Sequence, residues 1–349
     1  MSSSRFLLSA VAGAVVLVVV LVVVSLLGDG EEPAGSPSAS ATASTTEPAS
    51  ATPTTGELRP VRLLLGFRPD VQFAPFYLAQ QRGYFAELGL EVTIEHSDDV
   101  LRLVADGQAE FGVADATDLM IARTSGIPAR YVSTLYQHFP VALIGPPDMV
   151  PAEPGELAGL RIGTPGRFGS SWHALLALLD AGGLTTDDVT IREYPAFNQV
   201  EGLLNGDVDL ITGFRVNEPL QLAAQGFDAE LLTVDELVPL PGPGIVVGDE
   251  LLRDHRDWVI AFALALQRAM ETISSSVDAG VDAAVAEVPA IGEDRDTARA
   301  VLAATVELWG TPPGGIDTEV WIEGYATMRR LDFIDGSVPI EEMYTDVLK

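Results

Sequence analysis

Leu103-Val-Ala-Asp-Gly-Gln-Ala-Glu-Phe111 and Gly202-Leu-Leu-Asn-Gly-Asp-Val-Asp-Leu210 are two copies of one unit, and their repetition decides the fold. In each, a helix-like run ends at a glycine (Gly107, Gly206), and a short strand follows, residues 110–114 in the first copy and 209–213 in the second. Each strand runs into a polar loop, Asp115-Ala-Thr-Asp118 or Phe214-Arg-Val-Asn-Glu218. Two α/β lobes built on one plan explain this better than a single sheet. In such sheets ligands bind beyond the carboxyl ends of the strands, so the two loops are expected to face each other across a cleft.

Working outward, Val61-Arg-Leu-Leu-Leu-Gly66 reads as a buried strand, 74–81 as a helix, Gly83-Tyr-Phe85 as a turn, and Leu90-Glu-Val-Thr-Ile94 as a second, alternating strand. Strand-like and helix-like runs alternate from residue 60 to the end. That length exceeds one typical core, which again favours two lobes.

The formal charge is −30, and residues 1–59 contribute only five acids and two Arg, so −27 lies on the remainder. Lys349 is the only lysine. A surface this acidic argues against nucleic-acid binding and suits solubility outside the cell. The absence of Cys excludes disulfides, Cys-ligated zinc and thiol catalysis, and no interior Lys is available for a Schiff base. His96, His138, His173 and His255 are scattered, with no i,i+4 pair to hold a metal. No cofactor is expected.

Residues 6–27 (FLLSAVAGAVVLVVVLVVVSLL) carry no charge. As a helix they would reach roughly 33 Å, enough for a hydrocarbon core. Arg5 before the run and Asp29, Glu31 and Glu32 after it favour a cytoplasmic amino terminus with the rest of the chain outside. A cleaved signal peptide shares this charge order, but no A-x-A-like site follows, and Asp29 stands where a lipoprotein needs Cys. A signal anchor over 1–28 is the expectation, holding the protein on the outer face of the cell membrane. Residues 29–59, almost wholly Ser, Thr, Ala, Pro, Gly and Glu, read as a spacer too apolar-poor to order itself.

The run Pro69-Asp-Val-Gln-Phe-Ala-Pro-Phe-Tyr-Leu-Ala79, then Gly83-Tyr-Phe85 and Gly89-Leu-Glu-Val92, resembles the opening of the thiamine-pyrimidine-precursor-binding family, which includes nitrate-, sulfonate- and riboflavin-binding importer subunits. Leu160-Arg-Ile-Gly-Thr-Pro-Gly-Arg-Phe-Gly-Ser-Ser171, Asn217-Glu-Pro219 and Pro241-Gly-Pro-Gly244 extend the similarity, which spans residue 62 to the carboxyl terminus. The resemblance implies a type II periplasmic-binding-protein fold: two α/β lobes, two hinge crossovers and closure on a small ligand. It places the crossovers at 141–145 and 245–248, the first lobe at 60–144 with its return at 249–349, and the second lobe at 145–248. It implies an ABC importer with permease and ATPase partners, a monomeric binding component and no enzymatic activity. A tethered sensor is the alternative that gene neighbourhood would separate. The fungal pyrimidine synthases that share the resemblance use a Cys-rich motif, a Lys and a His; here Cys and interior Lys are missing and Phe73 stands where the His is expected.

Candidate ligand contacts follow from residues and resemblance together. Gly166-Arg-Phe-Gly169 resembles the family's Gly-acid-Phe-Gly ligand loop, with Arg167 in place of the acid. Ser170 or Ser171 would cap the helix that follows, whose amino terminus suits an anion or a ring carbonyl; the plainer reading is a capped turn. Phe67, Phe73, Phe76, Tyr136, Trp172, Phe197 and Phe214 lie in or beside cleft loops and could stack on a planar ring, as Phe168 of the ligand loop would contact it, although aromatics are more often simply core. Gln72, Asp115, Gln137, Asn198, Asn217 and Glu218 would orient it, with Asp115 or Glu218 accepting from an exocyclic amine; for Glu218-Pro219 a simple helix start is equally open. A thiamine pyrimidine precursor or a flavin is favoured over sulfonate or nitrate, because inorganic anions call for converging donors and these loops offer acids and aromatics.

Overall fold

The computed structural model describes residues 57–349. The expected anchor at 1–28 and residues 29–56 of the spacer lie outside them, and among the described residues no helix is long and apolar enough to cross a membrane.

Two five-stranded mixed sheets repeat one plan. The first contains β1 (Arg59–Leu65), β2 (Leu90–His96), β3 (Phe111–Ala114), β4 (Ala129–Thr134) and β10 (Gly244–Gly248), in the order β2-β1-β3-β10-β4. The second contains β5 (Val141–Gly145), β6 (Arg161–Thr164), β7 (Thr190–Glu193), β8 (Leu210–Phe214) and β9 (Glu230–Thr233), in the order β7-β6-β8-β5-β9. In each, three neighbouring strands are parallel, and the strand fourth in line, β10 or β5, runs antiparallel to both its neighbours.

The repeated unit of the sequence is the repeated unit of the structure. Its strands are β3 and β8, and its helices are α3 (Val100–Ala105) and α6 (Gln199–Leu204). The acid before each strand clasps the neighbouring strand in the same way. Glu110 Oε2 accepts from the Arg62 backbone N–H at 2.7 Å, and Asp209 Oδ2 from that of Arg161 at 2.7 Å, 48 residues apart in both pairs. Each arginine side chain then reaches the turn below its helix, bonding the Gln108 carbonyl in one lobe and those of Gly206 and Asp207 in the other.

Helices α1 (Ala74–Gln81), α2 (Tyr84–Glu87) and α4 (Ala116–Thr124) belong with α3 to the first sheet, and α5 (Gly169–Ala181) and α7 (Glu218–Ala224) with α6 to the second. After β10, helices α8 (Asp249–Asp254), α9 (Arg256–Ser275), α10 (Val277–Glu287), α11 (Arg295–Val306) and α12 (Thr318–Arg330) return to the first lobe. Helix α9 shows why: Val259, Phe262, Leu266, Ala269, Met270 and Ile273 recur at helical spacing and all are buried. Phe262 stacks on Phe85 and Phe111, with ring centroids 5.0 and 4.0 Å away.

The crossovers differ from expectation. Val141–Gly145 and 245–248 lie in β5 and β10, all of whose residues are buried, and the chain passes between sheets just before them, through 135–140 and 234–243. An apolar run announces a buried strand but not the sheet it joins. Val141 to Ile144 therefore pair in the second sheet, not in the first lobe, and Gly244–Gly248 pair in the first sheet. The crossovers run side by side, with the N–H groups of Leu135 and Tyr136 both donating to the Pro243 carbonyl at 3.0 and 3.1 Å. Gly242 permits this approach, because a Cβ there would lie 2.3 Å from the Tyr136 carbonyl oxygen.

Candidate functional site

A cavity of about 800 Å³ opens where the carboxyl ends of the two sheets meet. From the first lobe and the first crossover it is lined by Phe67, Gln72, Phe73, Asp115 and Tyr136 among the residues singled out in the sequence. The second lobe brings Phe168, Gly169, Ser170 and Ser171 from the start of α5, and Phe214, Asn217 and Glu218 from the end of β8. Its size falls within the range of small-molecule sites.

Six candidates are placed elsewhere. Phe76 is wholly buried, part of the first lobe's core rather than of the cavity wall. Trp172 is buried in the second lobe's core, with the Arg167 guanidinium 5.2 Å over its ring. Arg167 is exposed and pairs with Glu193 at 3.0 Å, so the residue that departs from the family's loop faces away from the cavity. Gly166 is buried beneath the Phe168 ring, which would collide with any Cβ there. Gln137 donates to the Pro312 carbonyl at 2.8 Å, and Asn198 turns toward Glu201 at the exposed start of α6.

Other lining residues come from positions the sequence reading left aside. Asp118 sits one turn into α4, three residues from Asp115, and that spacing places both carboxylates on one helix face. Gln199 lies under the cavity in the first turn of α6, while Phe197, an aromatic candidate of the sequence, is at its edge. Phe197 adopts φ 56°, a left-handed conformation costly for a bulky residue, and its ring meets Phe67 of the other lobe edge-on at 5.5 Å.

Several bonds join the lobes here. Asp115 Oδ2 accepts from the Ser170 N–H at 3.0 Å, so a first-lobe carboxylate occupies the amino terminus of α5. Nearby, His173 Nδ1 lies 2.9 Å from Thr117 Oγ1, and burial pushes that imidazole down to about 4, leaving it neutral at physiological pH. Within the first lobe and crossover, the Tyr136 hydroxyl donates to Gln72 Oε1 at 3.2 Å. Glu218 serves the helix start, one of the two readings the sequence left open. Its Oε2 accepts from the Phe214 N–H at 2.7 Å, fixing the turn from β8 into α7, while Oε1 has only a long 3.4 Å contact from Gln199 Nε2.

Burial raises the carboxyl pKa values in this cavity. Glu218 is pushed up to about 7, its backbone hydrogen bonds only partly offsetting the burial. Asp118 is pushed up to about 7 by burial and then by the Asp115 charge, and Asp115 is itself raised by burial against the hydrogen bonding of Ser170. Folded pKa values above unfolded ones mean that the folded state binds more protons between about pH 4 and 7. Stability from these groups is full below that window and is lost as pH rises through about 7. The Asp118 side chain is 38% exposed and Glu218 partly open to the cavity, so solvent screening reduces the combined effect to on the order of 1–2 kcal/mol. Calorimetric melting of the unliganded protein is expected to fall by about 2–6 °C from pH 5.5 to 8 on this account, and Glu218→Gln to flatten that fall. The same slope in the variant would assign the titration to other groups. Among the described residues no cluster of His, Asp and Glu could hold a metal ion.

Two sheets of one plan, joined by two paired crossovers over a cavity lined from both, make this a two-lobed binding-protein architecture. The chain belongs to the NMT1/THI5-like family, whose model matches residues 70–276. It is 32% identical to the riboflavin-binding protein RibY of Chloroflexus aurantiacus, over 90% of this chain and 92% of that one. It is 24% identical to the formylaminopyrimidine-binding protein of Halalkalibacterium halodurans, over 83% of this chain and 91% of the other. Among solved structures it is similar to the periplasmic aliphatic sulphonate binding protein SsuA of Escherichia coli, with a TM-score of 0.64, 14% identity, and coverage of 81% of this chain and 91% of SsuA. That likeness shows the periplasmic-binding-protein fold. The relatives named here are binding proteins.

Proposed function

We propose that this protein is the extracytoplasmic ligand-capturing component of an ABC importer, held at the membrane by residues 1–28 and delivering its ligand to a permease driven by an ATPase. The ligand is a planar heteroaromatic molecule, a flavin or a thiamine pyrimidine precursor, enclosed when the lobes close about the crossovers at 135–140 and 234–243. The observation that carries this reading is the makeup of the cavity: phenylalanines from both lobes surround it, and acceptors such as Asp115 and Glu218 stand among them. Aromatic faces hold a flat ring, and carboxylates read its N–H edge. The similarity to RibY supports the flavin form of the proposal. No catalysis is proposed, in keeping with the similarity to RibY and to the formylaminopyrimidine-binding protein.

Native mass spectrometry of protein purified without denaturation, followed by titration with riboflavin and with aminopyrimidines, tests the reading. One of these is expected to bind, and small-angle scattering to show a smaller radius of gyration at saturation. Binding without compaction would remove the closure, and no binding of any of these compounds would remove the ligand class.

A further inference from the structure

We infer that the cavity selects by charge: it takes an uncharged or cationic ligand that offers N–H or O–H groups, and refuses the phosphate- or sulfonate-bearing form of the same molecule. The inference rests on the ligand-capture reading above and specifies its ligand.

The amino terminus of α5, a helix of thirteen residues, is the place in the cavity where an anion would ordinarily be held. It is already taken. Asp115 Oδ2 accepts the Ser170 N–H at 3.0 Å, and the point where a Cβ of Gly169 would sit is 3.5 Å from that oxygen and 3.9 Å from Asp118 Oδ2. The chain supplies its own pair of carboxylates to the positive end of the helix.

The opposite wall is also made of acceptors. Glu218 Oε1 has only its long contact to Gln199, whose side-chain amide nitrogen is turned toward the Thr212 carbonyl and Glu218, both at 3.4 Å. Gln199 Oε1 is therefore left buried with no hydrogen-bond partner, in a residue only 1% exposed that lines the cavity. That oxygen itself has almost no exposed surface, so the acceptor this wall presents to a ligand is the Glu218 carboxyl, whose Oε1 is only weakly engaged. The one cation in the cavity wall, Arg102, is committed to Asp99 at 2.7 Å and Asp106 at 3.4 Å, and Arg68 rests over the Phe67 ring outside the wall. Above about pH 7, where these carboxyls are ionised, an entering phosphate would meet like charge at close range. The cation near enough to oppose it is Arg68, which acts on Glu218 through its charge and has no ion-pair partner among the described residues.

The test uses the full-length chain in neutral detergent at pH 8, where the raised carboxyls are ionised, titrated calorimetrically with riboflavin, with flavin mononucleotide (its phosphate ester) and with inorganic phosphate alone. The wild type is expected to take no phosphate at millimolar concentration and to bind the ester at least about 100-fold more weakly than riboflavin. The double variant Asp115→Asn/Asp118→Asn keeps an acceptor for the Ser170 N–H but removes both charges. It is expected to acquire phosphate binding and to narrow the flavin gap by about tenfold or more. Phosphate binding by the wild type, equal affinity for the two flavins, or a folded double variant that still takes no phosphate and keeps the full gap would overturn the inference. If the double variant does not fold, Asp118→Asn alone, at a side chain 38% exposed, is read by the same criteria, with a narrowing of about threefold expected. Should riboflavin fail to bind while phosphate behaves as stated, the flavin reading falls and the charge selection stands.

Discussion

Replacing Phe214 by Ala is expected to weaken every planar ligand by about 1–3 kcal/mol, roughly 5- to 150-fold, because stacking and apolar burial are lost together. Phe214 ends β8, lines the cavity and packs against the cores of both lobes, so its ring stands where a closing cleft brings them together. The backbone N–H that Glu218 holds is unaffected by the substitution, which keeps the β8–α7 turn in place. Glu218→Gln provides the contrast. A Gln there retains one carbonyl acceptor for the Phe214 N–H but sets an amide donor against Gln199 Nε2, and it removes the charge. Ligands with an N–H edge should lose about 1–3 kcal/mol, and analogues lacking that edge much less. Titration of both variants with a matched pair of ligands checks the two roles. Equal losses for both ligands with Glu218→Gln would reduce that residue to a capping group, and full affinity in Phe214→Ala would take the ring out of the site.

The second large effect is expected from Gly242→Ala. The new Cβ would lie 2.3 Å from the Tyr136 carbonyl oxygen, and because it is fixed directly to the backbone of one crossover and meets a main-chain atom of the other, no flexible side chain can yield. The crossovers must part, straining the bonds from Leu135 and Tyr136 to the Pro243 carbonyl and that from the Tyr131 hydroxyl to the Gly242 carbonyl. A loss of about 1–3 kcal/mol is expected, seen as a melting temperature lower by about 5 °C. Gly242 does not adopt a positive φ, so space alone is at issue. A variant melting like the wild type would mean that the crossovers can separate freely.

Much of the fold was legible because strands and caps obey local rules. The apolar run before Gly66, the alternation of 90–94 and the two helix–glycine–strand units all appear as β1, β2, β3 and β8 with their helices. What the sequence could not supply was partnership. Val141–Gly145 and Gly244–Gly248 are buried on both faces, and such runs look alike whichever sheet takes them. The same limit applies to the site. Loops named the right ends of the sheets, yet Phe76 and Trp172 share neighbourhood and chemistry with Phe73 and Phe168 and differ only in the direction of the side chain. Asp118 and Gln199 were hidden inside helices; for Asp118, the three-residue spacing from Asp115 was a usable signal.

The placement of β10 also bears on the order in which the chain can mature as it is made. The second sheet is complete once Thr233 exists, since all its strands lie between Val141 and that residue. The first sheet is not: the strand partner of β4 is β10, and the bridges on its other edge, from Tyr131 to Tyr344 and from Thr134 to Gly314, are made later still, so β4 has no partner until residues 244–248 have been synthesised. The middle of the polypeptide can therefore fold as a finished body while the earlier-made lobe waits with an open seam. The helices after residue 249 then close that seam from the outside, so a chain truncated before β10 would present an intact second lobe attached to an unfinished first one.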